Sequence, residues 1–341
     1  MTRPIAAAEV DFVPTADVLL RHPTMVASVE LPVLGIATRF ETNSRYVAGV
    51  VEEAFGGWRR AAAAAGGDSS GSLLVRVVVH EGAEHPGGGH APVRHLCPDA
   101  TRVIAHSPGS FAVSDPARGE AVAYVSTALA ADRAHFRGAM LEAITLSLLA
   151  HFDRHPLHAA AVGSGERAVL LAGPSGAGKS SLAYAAHEAG LGVLSDDRVW
   201  VQLAPALRVW GWPGRVRLLP DAPDRFPDAA RDGTLVEADG KRKLAVDLRP
   251  AGGAAPHPHA ADRAVVCLLS PQRAARPVLE RASPDEIVDS LSRDVAPGFD
   301  RFPERHGTVV RALAARGGWR LVPSGDPREA LPMLRRMVEE G

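Results

Sequence analysis

The chain has 341 residues, of which 46% are hydrophobic, and a formal net charge of −1. That length suggests about two domains. A net charge so close to zero argues against sequence-independent electrostatic binding to nucleic acid or to an anionic membrane. The first residues have an early acidic residue and no long apolar core, and no apolar run of about 18 residues occurs, so we expect neither a signal peptide nor a membrane span but a cytoplasmic protein. Cys97 and Cys267 lie far apart in sequence and are expected to be reduced thiols.

The first 152 residues carry no phosphate-binding motif and predict an α/β accessory or substrate-recognition domain. The predicted elements are strands at 31–36 and 73–79, a helix at 47–58, a Gly- and Pro-rich loop at 82–92, β structure within 101–128, and a helix at 137–152. The last helix is expected to place Met140, Leu141, Ile144 and Leu148 on one side, facing a core.

The most informative stretch is the complete phosphate-binding loop Gly173-x-x-x-x-Gly178-Lys179-Ser180. A buried strand is predicted just before it, at 168–172, and a helix just after it, at 181–188. The loop turns backbone N–H groups inward, and the helix N-terminus adds positive potential. Lys179 can reach the β- and γ-phosphates of a nucleotide, and the Ser180 hydroxyl can hold Mg²⁺. The predicted nucleotide-binding residues are Gly173, Pro174, Ser175, Gly176, Ala177, Gly178, Lys179, Ser180 and Ser181.

Residues 153–341 are predicted to form the nucleotide-binding domain around this loop. The predicted elements are strands at 191–194, 199–203, 216–218, 244–248 and 265–269 and a final helix at 327–340. Gly190 is predicted to end the helix that follows the loop. The alternation of Val199, Val201 and Leu203 predicts a strand with one face on a core.

Two adjacent carboxylates, Asp196 and Asp197, follow the predicted strand that returns after the loop helix. That strand, parallel or antiparallel to the one before the loop, brings both side chains beside the phosphates. One carboxylate can hold Mg²⁺, and the other can accept a proton from an attacking hydroxyl. A solvated Asp-Asp turn is the alternative. His158 starts a strand predicted to pair with the loop strand, which puts its imidazole at the site edge; an ordinary surface or core histidine is the alternative.

The run from His158 to Leu182, followed by Gly192-Val-Leu-Ser-Asp-Asp-Arg-Val, resembles the catalytic domain of bacterial HPr kinase/phosphorylase. The resemblance implies an α/β P-loop nucleotide-binding domain with a core like that of phosphoenolpyruvate carboxykinases, here preceded by a smaller α/β accessory domain. It also implies a reaction that uses ATP and Mg²⁺. By position, Asp196 aided by His158 is the base toward an acceptor serine, Lys179 neutralises charge during transfer, and Ser180 and Asp197 lie near the metal.

Two parts of the chain depart from that family. No Glu-x-Arg-Gly-x-Gly segment follows the aspartate pair, and the N-terminal part does not look like the family's N-terminal domain. The chain looks more like the divergent HPr-kinase-like proteins of actinobacteria, some of which accompany peptide natural-product pathways and phosphorylate a peptide serine. The resemblance leaves open whether the chain forms a homo-oligomer.

Three smaller groups of residues carry side chains that can bind metals or phosphates. His80, His85, His90 and His95 recur at a spacing that suits neither a helix face nor a zinc knuckle, so a solvated loop is predicted. The pairs Arg215 and Arg217, and Lys241 and Lys243, are candidate phosphate or substrate contacts, with a solvated strand as the alternative.

The leading functional hypothesis is an ATP-dependent kinase whose partner is a peptide or protein bearing a serine. A kinase of a small-molecule alcohol or free amino acid uses the same machinery and stays open. A GTPase switch is disfavoured because Asn43 is the single asparagine, so no Asn-Lys-x-Asp guanine motif exists. An ATPase switch is disfavoured because no apolar strand ending in Asp lies at a Walker-B distance downstream of the loop. A catalytically inactive regulator is disfavoured by the intact Lys179, Asp196 and Asp197.

Overall fold

The structure is a computed structural model that describes residues 9–14, 20, 22–59, 71–82, 92–96, 103–212, 214–238, 241–248, 259–293 and 303–340. The chain divides into two units, Met1–Phe152 and Asp153–Gly341. Both units combine helices with sheets, so the predicted mixed α/β class is confirmed. Within the described residues, no helix is both long and apolar enough to cross a bilayer.

A mixed sheet organises the described part of the first unit, with seven strands in the order β1-β2-β3-β7-β6-β5-β4. Its strands are β1 Ala27–Val33, β2 Ile36–Thr42, β3 Ser72–His80, β4 Arg94–Leu96, β5 Val103–Ser107, β6 Ser110–Asp115 and β7 Glu120–Ser126. Helix α1, Arg45–Phe55, lies in the chain between the parallel strands β2 and β3. Ser44 starts this helix, because its hydroxyl accepts a hydrogen bond from the Val47 N–H.

The prediction of a single strand at 31–36 is wrong, because a tight turn at Leu34 and Gly35 divides it into β1 and β2. Both turn residues have a positive φ, 49° for Leu34 and 79° for Gly35, as a two-residue hairpin turn favours. Leu34 is fully buried, so core packing holds a residue type that is uncommon in this backbone conformation.

Helical residues follow β7 in the first unit. They are α2 Thr127–Ala131, α3 Arg133–His135, a π-helix Phe136–Glu142 and α4 Ala143–Leu149. The helix predicted at 137–152 therefore begins as a π-helix and ends at Leu149. Met140, Leu141, Ile144 and Leu148 are fully buried, which confirms the predicted apolar face.

The second unit is built, within its described residues, on a sheet of six strands in the order β11-β9-β10-β18-β20-β19. Its strands are β9 Ala160–Ser164, β10 Arg167–Ala172, β11 Gly192–Ser195, β18 Arg263–Leu269, β19 Val278–Ala282 and β20 Gly318–Val322. Strands β10, β18 and β20 are parallel, whereas β9 is antiparallel to both of its neighbours. Alternate residues of β10 enter separate cores on the two faces, Leu171 in one and Leu170 in the other.

Further elements cover the two faces of this central sheet. Strands β8 His155–Leu157, β12 Val199–Gln202, β13 Arg208–Trp210 and β17 Ala260–Ala261 form an antiparallel sheet, and β14 Arg215–Leu218, β15 Gly233–Ala238 and β16 Lys241–Asp247 form another. The helices are α5 Lys179–Glu188, α6 Pro227–Asp232, α7 Pro284–Arg293, α8 Pro303–Ala314 and α9 Leu331–Glu340. Residues of α5, α9 and the β14–β16 sheet share one core with the central sheet, and residues of α7, α8 and the β8–β17 sheet share the other.

Strand β12 differs from its prediction. The alternating pattern predicted one buried face, but all four residues of β12 are buried. Gln202 is accommodated there because its Oε1 accepts a hydrogen bond from Trp210 Nε1 at 2.9 Å, and its Nε2 donates to the Ala204 carbonyl at 2.8 Å.

Several other predicted features can be located. Cys267 is buried in β18. His80 Nδ1 lies 2.9 Å from the Glu81 carbonyl, and His95 Nε2 lies 2.7 Å from the Ala139 carbonyl. No group of three metal-ligating side chains occurs among the residues that the structure describes. Cys97, His85 and His90 lie outside those residues, as does the loop expected at 252–258.

Candidate nucleotide-binding site

The predicted phosphate-binding loop lies between β10 and α5, at the carboxyl end of β10. Gly173, Gly176 and Gly178 have φ values of 148°, 85° and 103°, which favour glycine. A Cβ on Gly173 would lie 2.6 Å from the Leu269 carbonyl oxygen, so the close approach of β18 excludes any side chain there. Pro174, Ser175 and Gly176 are exposed at the tip. Ser175 and Gly176 carry backbone N–H groups of the kind that bind phosphate in such loops.

Lys179 is the first residue of α5 and is 8% exposed. Its Nζ donates a hydrogen bond to the Gly173 carbonyl, so the ammonium group spans the loop from its last residues to its first. Ser180 and Ser181 follow in the first turn of α5, where both are half-buried. The loop thus presents a cation and the amino end of a helix at one position, which suits an anion.

Strand topology brings His158 and the aspartate pair to the sheet edge that holds the loop. Ala160 of β9 pairs with Leu171 of β10, and Ala161 pairs with Ser195 of β11. Because β9 is antiparallel to both strands, β10 and β11 are parallel to each other and both end at this edge. The sequence left open whether β11 is parallel or antiparallel to β10, and the structure shows that it is parallel. Because β9 lies between them, β10 and β11 are two strand spacings apart, which is roughly 10 Å.

The two aspartates have opposite electrostatic environments. Asp196 is 8% exposed, and its Oδ2 accepts a hydrogen bond from the Arg217 N–H at 2.7 Å. Burial raises the pKa of Asp196 to about 6, although the Arg217 N–H works in the other direction. The hydrogen bond from His158 lowers the pKa of Asp197 to about 2. Asp197 is therefore a fixed anion, while Asp196 can take up a proton near neutral pH.

His158 contacts the second aspartate of the pair. Its Nε2 lies 3.2 Å from Asp197 Oδ1. The sequence predicts that His158 assists Asp196, whereas the structure places its imidazole against Asp197. The charge of Asp197 is in turn one of the causes that raise the pKa of Asp196.

The arginine and lysine pairs predicted on strands β14 and β16 differ in how they relate to the aspartates. Arg217 reaches Asp196 through its backbone N–H, whereas Arg215 Nε forms an ion pair with Asp247 Oδ1 at 2.8 Å. The charge of Lys243 on β16 helps to lower the pKa of Asp197, so this lysine faces the same region. Their roles in phosphate or substrate binding stay predictions.

One cation at this edge escaped the sequence analysis. Arg273 follows the carboxyl end of β18, the parallel neighbour of the loop strand, and its Nη2 donates to the Ala177 carbonyl at 3.3 Å. Its Nη1 donates to the Ser270 carbonyl at 3.3 Å and the Gln272 carbonyl at 3.2 Å. A Cβ on Gly178 would lie 3.5 Å from the guanidinium. The sequence shows that Arg273 follows a predicted strand, but it does not show that this strand pairs with the loop strand.

We expect Arg273→Ala to weaken ATP binding about tenfold, because it removes both a positive charge and the hydrogen bond to the Ala177 carbonyl of the loop. Titration of the full chain with ATP measures this effect directly. The matched control is Arg276→Ala, which removes another exposed arginine of the same segment. Equal affinities for the Arg273 variant and the control would show that the guanidinium has no part in nucleotide binding.

The residues of this edge fit a magnesium nucleotide. Glycines leave room for phosphates, Lys179 supplies positive charge, and the Ser180 hydroxyl and the ionised Asp197 carboxylate are oxygen donors of the kind that Mg²⁺ takes. A phosphate-bound Mg²⁺ commonly has one or two protein ligands and completes its shell with phosphate and water, so a cluster of three protein ligands is not required.

The comparison with solved structures gives distant similarities. No family model matches the sequence, and no curated protein matches it. Among solved structures, the Hpr(Ser) kinase/phosphatase from Coxiella burnetii is similar at 13% identity and a TM-score of 0.29, over 55% of this chain and 100% of that one. At that identity and TM-score the relationship in structure is distant.

Proposed function

We propose that the chain is an ATP-dependent kinase that transfers the γ-phosphate to a serine hydroxyl of a peptide or protein. The observation that carries the proposal is that a phosphate-binding loop with Lys179 lies at the same edge of the sheet as two carboxylates. The pKa of one carboxylate, Asp196, is raised, and that of the other, Asp197, is lowered. A phosphate loop alone supports nucleotide binding. A buried carboxylate with a pKa near neutrality adds a group that can accept the proton of an attacking alcohol.

Each residue has a role that follows from its surroundings. Lys179, held at the amino end of α5, neutralises the negative charge of the phosphates. Asp196 accepts the proton of the serine hydroxyl, since its raised pKa allows it to hold a proton near neutral pH. Asp197 and Ser180 are the proposed Mg²⁺ ligands, and His158 orients Asp197. Bound Mg²⁺ would supply charge neutralisation at the phosphates.

The test is incubation of the full chain with γ-labelled ATP and serine-containing peptides, followed by mass spectrometry of the peptides. We expect an added phosphate on a serine, and no label on the same peptide carrying alanine in place of that serine. Free serine and simple alcohols form a parallel arm. Labelling confined to that arm would identify a small-molecule kinase, and release of inorganic phosphate with no labelled acceptor would identify an ATPase; both results contradict the proposal.

A further inference from the structure

A second cationic site lies at the edge of the central sheet opposite to the phosphate-binding loop. It is a pocket of about 420 Å³ at the amino ends of β18 and β20, a strand length of roughly 20 Å from the loop. Its walls come from the start of β18, from β19, from the segment between α8 and β20, and from the end of α9. The lining side chains that matter here are Arg263, Arg281, Arg316, Trp319 and Glu340, and we call this site the arginine pocket.

Positive charge in the arginine pocket exceeds negative charge. Glu340 lies 3.4 Å from Arg281 Nη2 and 2.6 Å from Arg336 Nε, so two guanidinium groups share its carboxylate. In the part of the chain that the structure describes, no carboxylate lies within 4.0 Å of the guanidinium groups of Arg263 or Arg316. Guanidinium groups gathered in one pocket repel one another unless an anion lies between them.

The pocket is held in shape by buried groups beneath it. Trp319 is 6% exposed, and the guanidinium carbon of Arg281 lies 3.6 Å from the centre of its ring. This cation–π contact fixes the direction of Arg281. A Cβ on Gly318 would lie 2.5 Å from the Val266 carbonyl oxygen, so no side chain can fill the back of the pocket from that position. The volume is therefore a consequence of the backbone packing of β18 against β20.

We infer that the arginine pocket binds a phosphate group, either as free phosphate or as a phosphate monoester. Arginine forks match the oxygens of a phosphate with paired, charge-assisted hydrogen bonds. Because Arg281 covers the ring of Trp319, recognition rests on charge rather than on stacking of a nucleobase. The volume accommodates a small ligand. This site is separate from the proposed kinase site and stands whether or not the chain is a kinase.

The experiment follows the indole N–H of Trp319 by NMR in the full chain, with its signal assigned by comparison with Trp319→Phe. Inorganic phosphate and phosphoserine are the two probes, titrated separately. We expect a saturable shift of the Trp319 signal with at least one of them. Tighter binding of phosphoserine identifies a monoester as the ligand class, and tighter binding of inorganic phosphate identifies the free ion. No saturable shift with either probe would overturn the inference.

Two double variants complete the test. Arg263→Ala with Arg316→Ala should weaken binding at least about tenfold, since two charge-assisted contacts are lost. Both side chains are exposed, so the cores stay intact. The matched control, Arg225→Ala with Arg293→Ala, removes the same charge from the same unit away from the pocket. If the first double variant binds as tightly as wild type, or the control loses as much affinity, no phosphate site exists at this edge.

Discussion

Replacing Lys179 with alanine is expected to reduce phosphate transfer about 10² to 10³-fold and to weaken ATP binding. The reason is that its ammonium group is the buried cation that spans the loop, so its removal leaves phosphate charge uncompensated in a partly desolvated site. Steady-state rates with labelled ATP and a direct ATP titration measure the two effects. Lys179→Arg should fail as well, because a planar guanidinium does not replace a compact ammonium group in this space.

The same change should not unfold the protein. Lys179 places a positive charge at the amino end of α5, where the helix dipole disfavours it, so alanine should leave the free energy of unfolding unchanged or higher. The chain also offers an independent readout, since Lys179, Lys241 and Lys243 are its lysines. ATP should protect Lys179 from acylation, as mapped by mass spectrometry. Normal turnover in a folded Lys179→Ala variant would show that the phosphate-binding loop is not part of the site of phosphate transfer.

The loop was predictable from sequence because its geometry is local. Glycines, the lysine and the flanking strand and helix all lie within one short segment, and the structure has β10 before the loop and α5 after it. The return of Asp196 and Asp197 to the same edge was less certain, since it depends on β9 lying between β10 and β11. A hairpin at the end of β9 was visible in the sequence, but the pairing of β9 with β11 was not.

Contacts between distant segments could not be predicted. Arg273 reaches Ala177 across the gap between two parallel strands, and nothing in its own sequence neighbourhood indicates that partner. His158 contacts Asp197 rather than Asp196 because of the directions in which the two aspartate side chains point after the end of β11. Spacing along the sequence does not determine those directions.

The misread strands have related causes. Leu34 continues an apolar run, and its turn conformation is held by burial rather than by the residue types that usually indicate a hairpin. In β12 the alternation of apolar residues predicted a single buried face, whereas a specific partner, the indole N–H of Trp210, allows Gln202 to be buried as well. In both cases tertiary packing overrode a local pattern.

Asp196→Asn is expected to slow phosphate transfer and to stabilise the fold at neutral pH. The rate should fall about 10² to 10⁴-fold, because the proton acceptor is lost while ATP still binds. The stability effect follows from the sign of the pKa shift. A carboxyl whose pKa is raised from 3.8 to about 6 on folding contributes stability below its unfolded pKa, and that contribution is lost as pH rises through about 6. Above that pH, wild type carries a buried, incompletely compensated charge.

Denaturant unfolding across a pH series measures this directly. The asparagine variant should be more stable than wild type by up to about 3 kcal/mol near pH 8, and the difference should shrink toward zero near about pH 4, where Asp196 is protonated when folded. Exposed Asp224→Asn serves as the control and should show no such gain. Asp197→Asn should have the opposite sign and lose stability at neutral pH, because the lowered pKa of Asp197 reflects a favourable contact with His158. Retained transfer in Asp196→Asn would assign the proton acceptor to another group, whereas a flat stability profile would show that Asp196 is not buried as a charge.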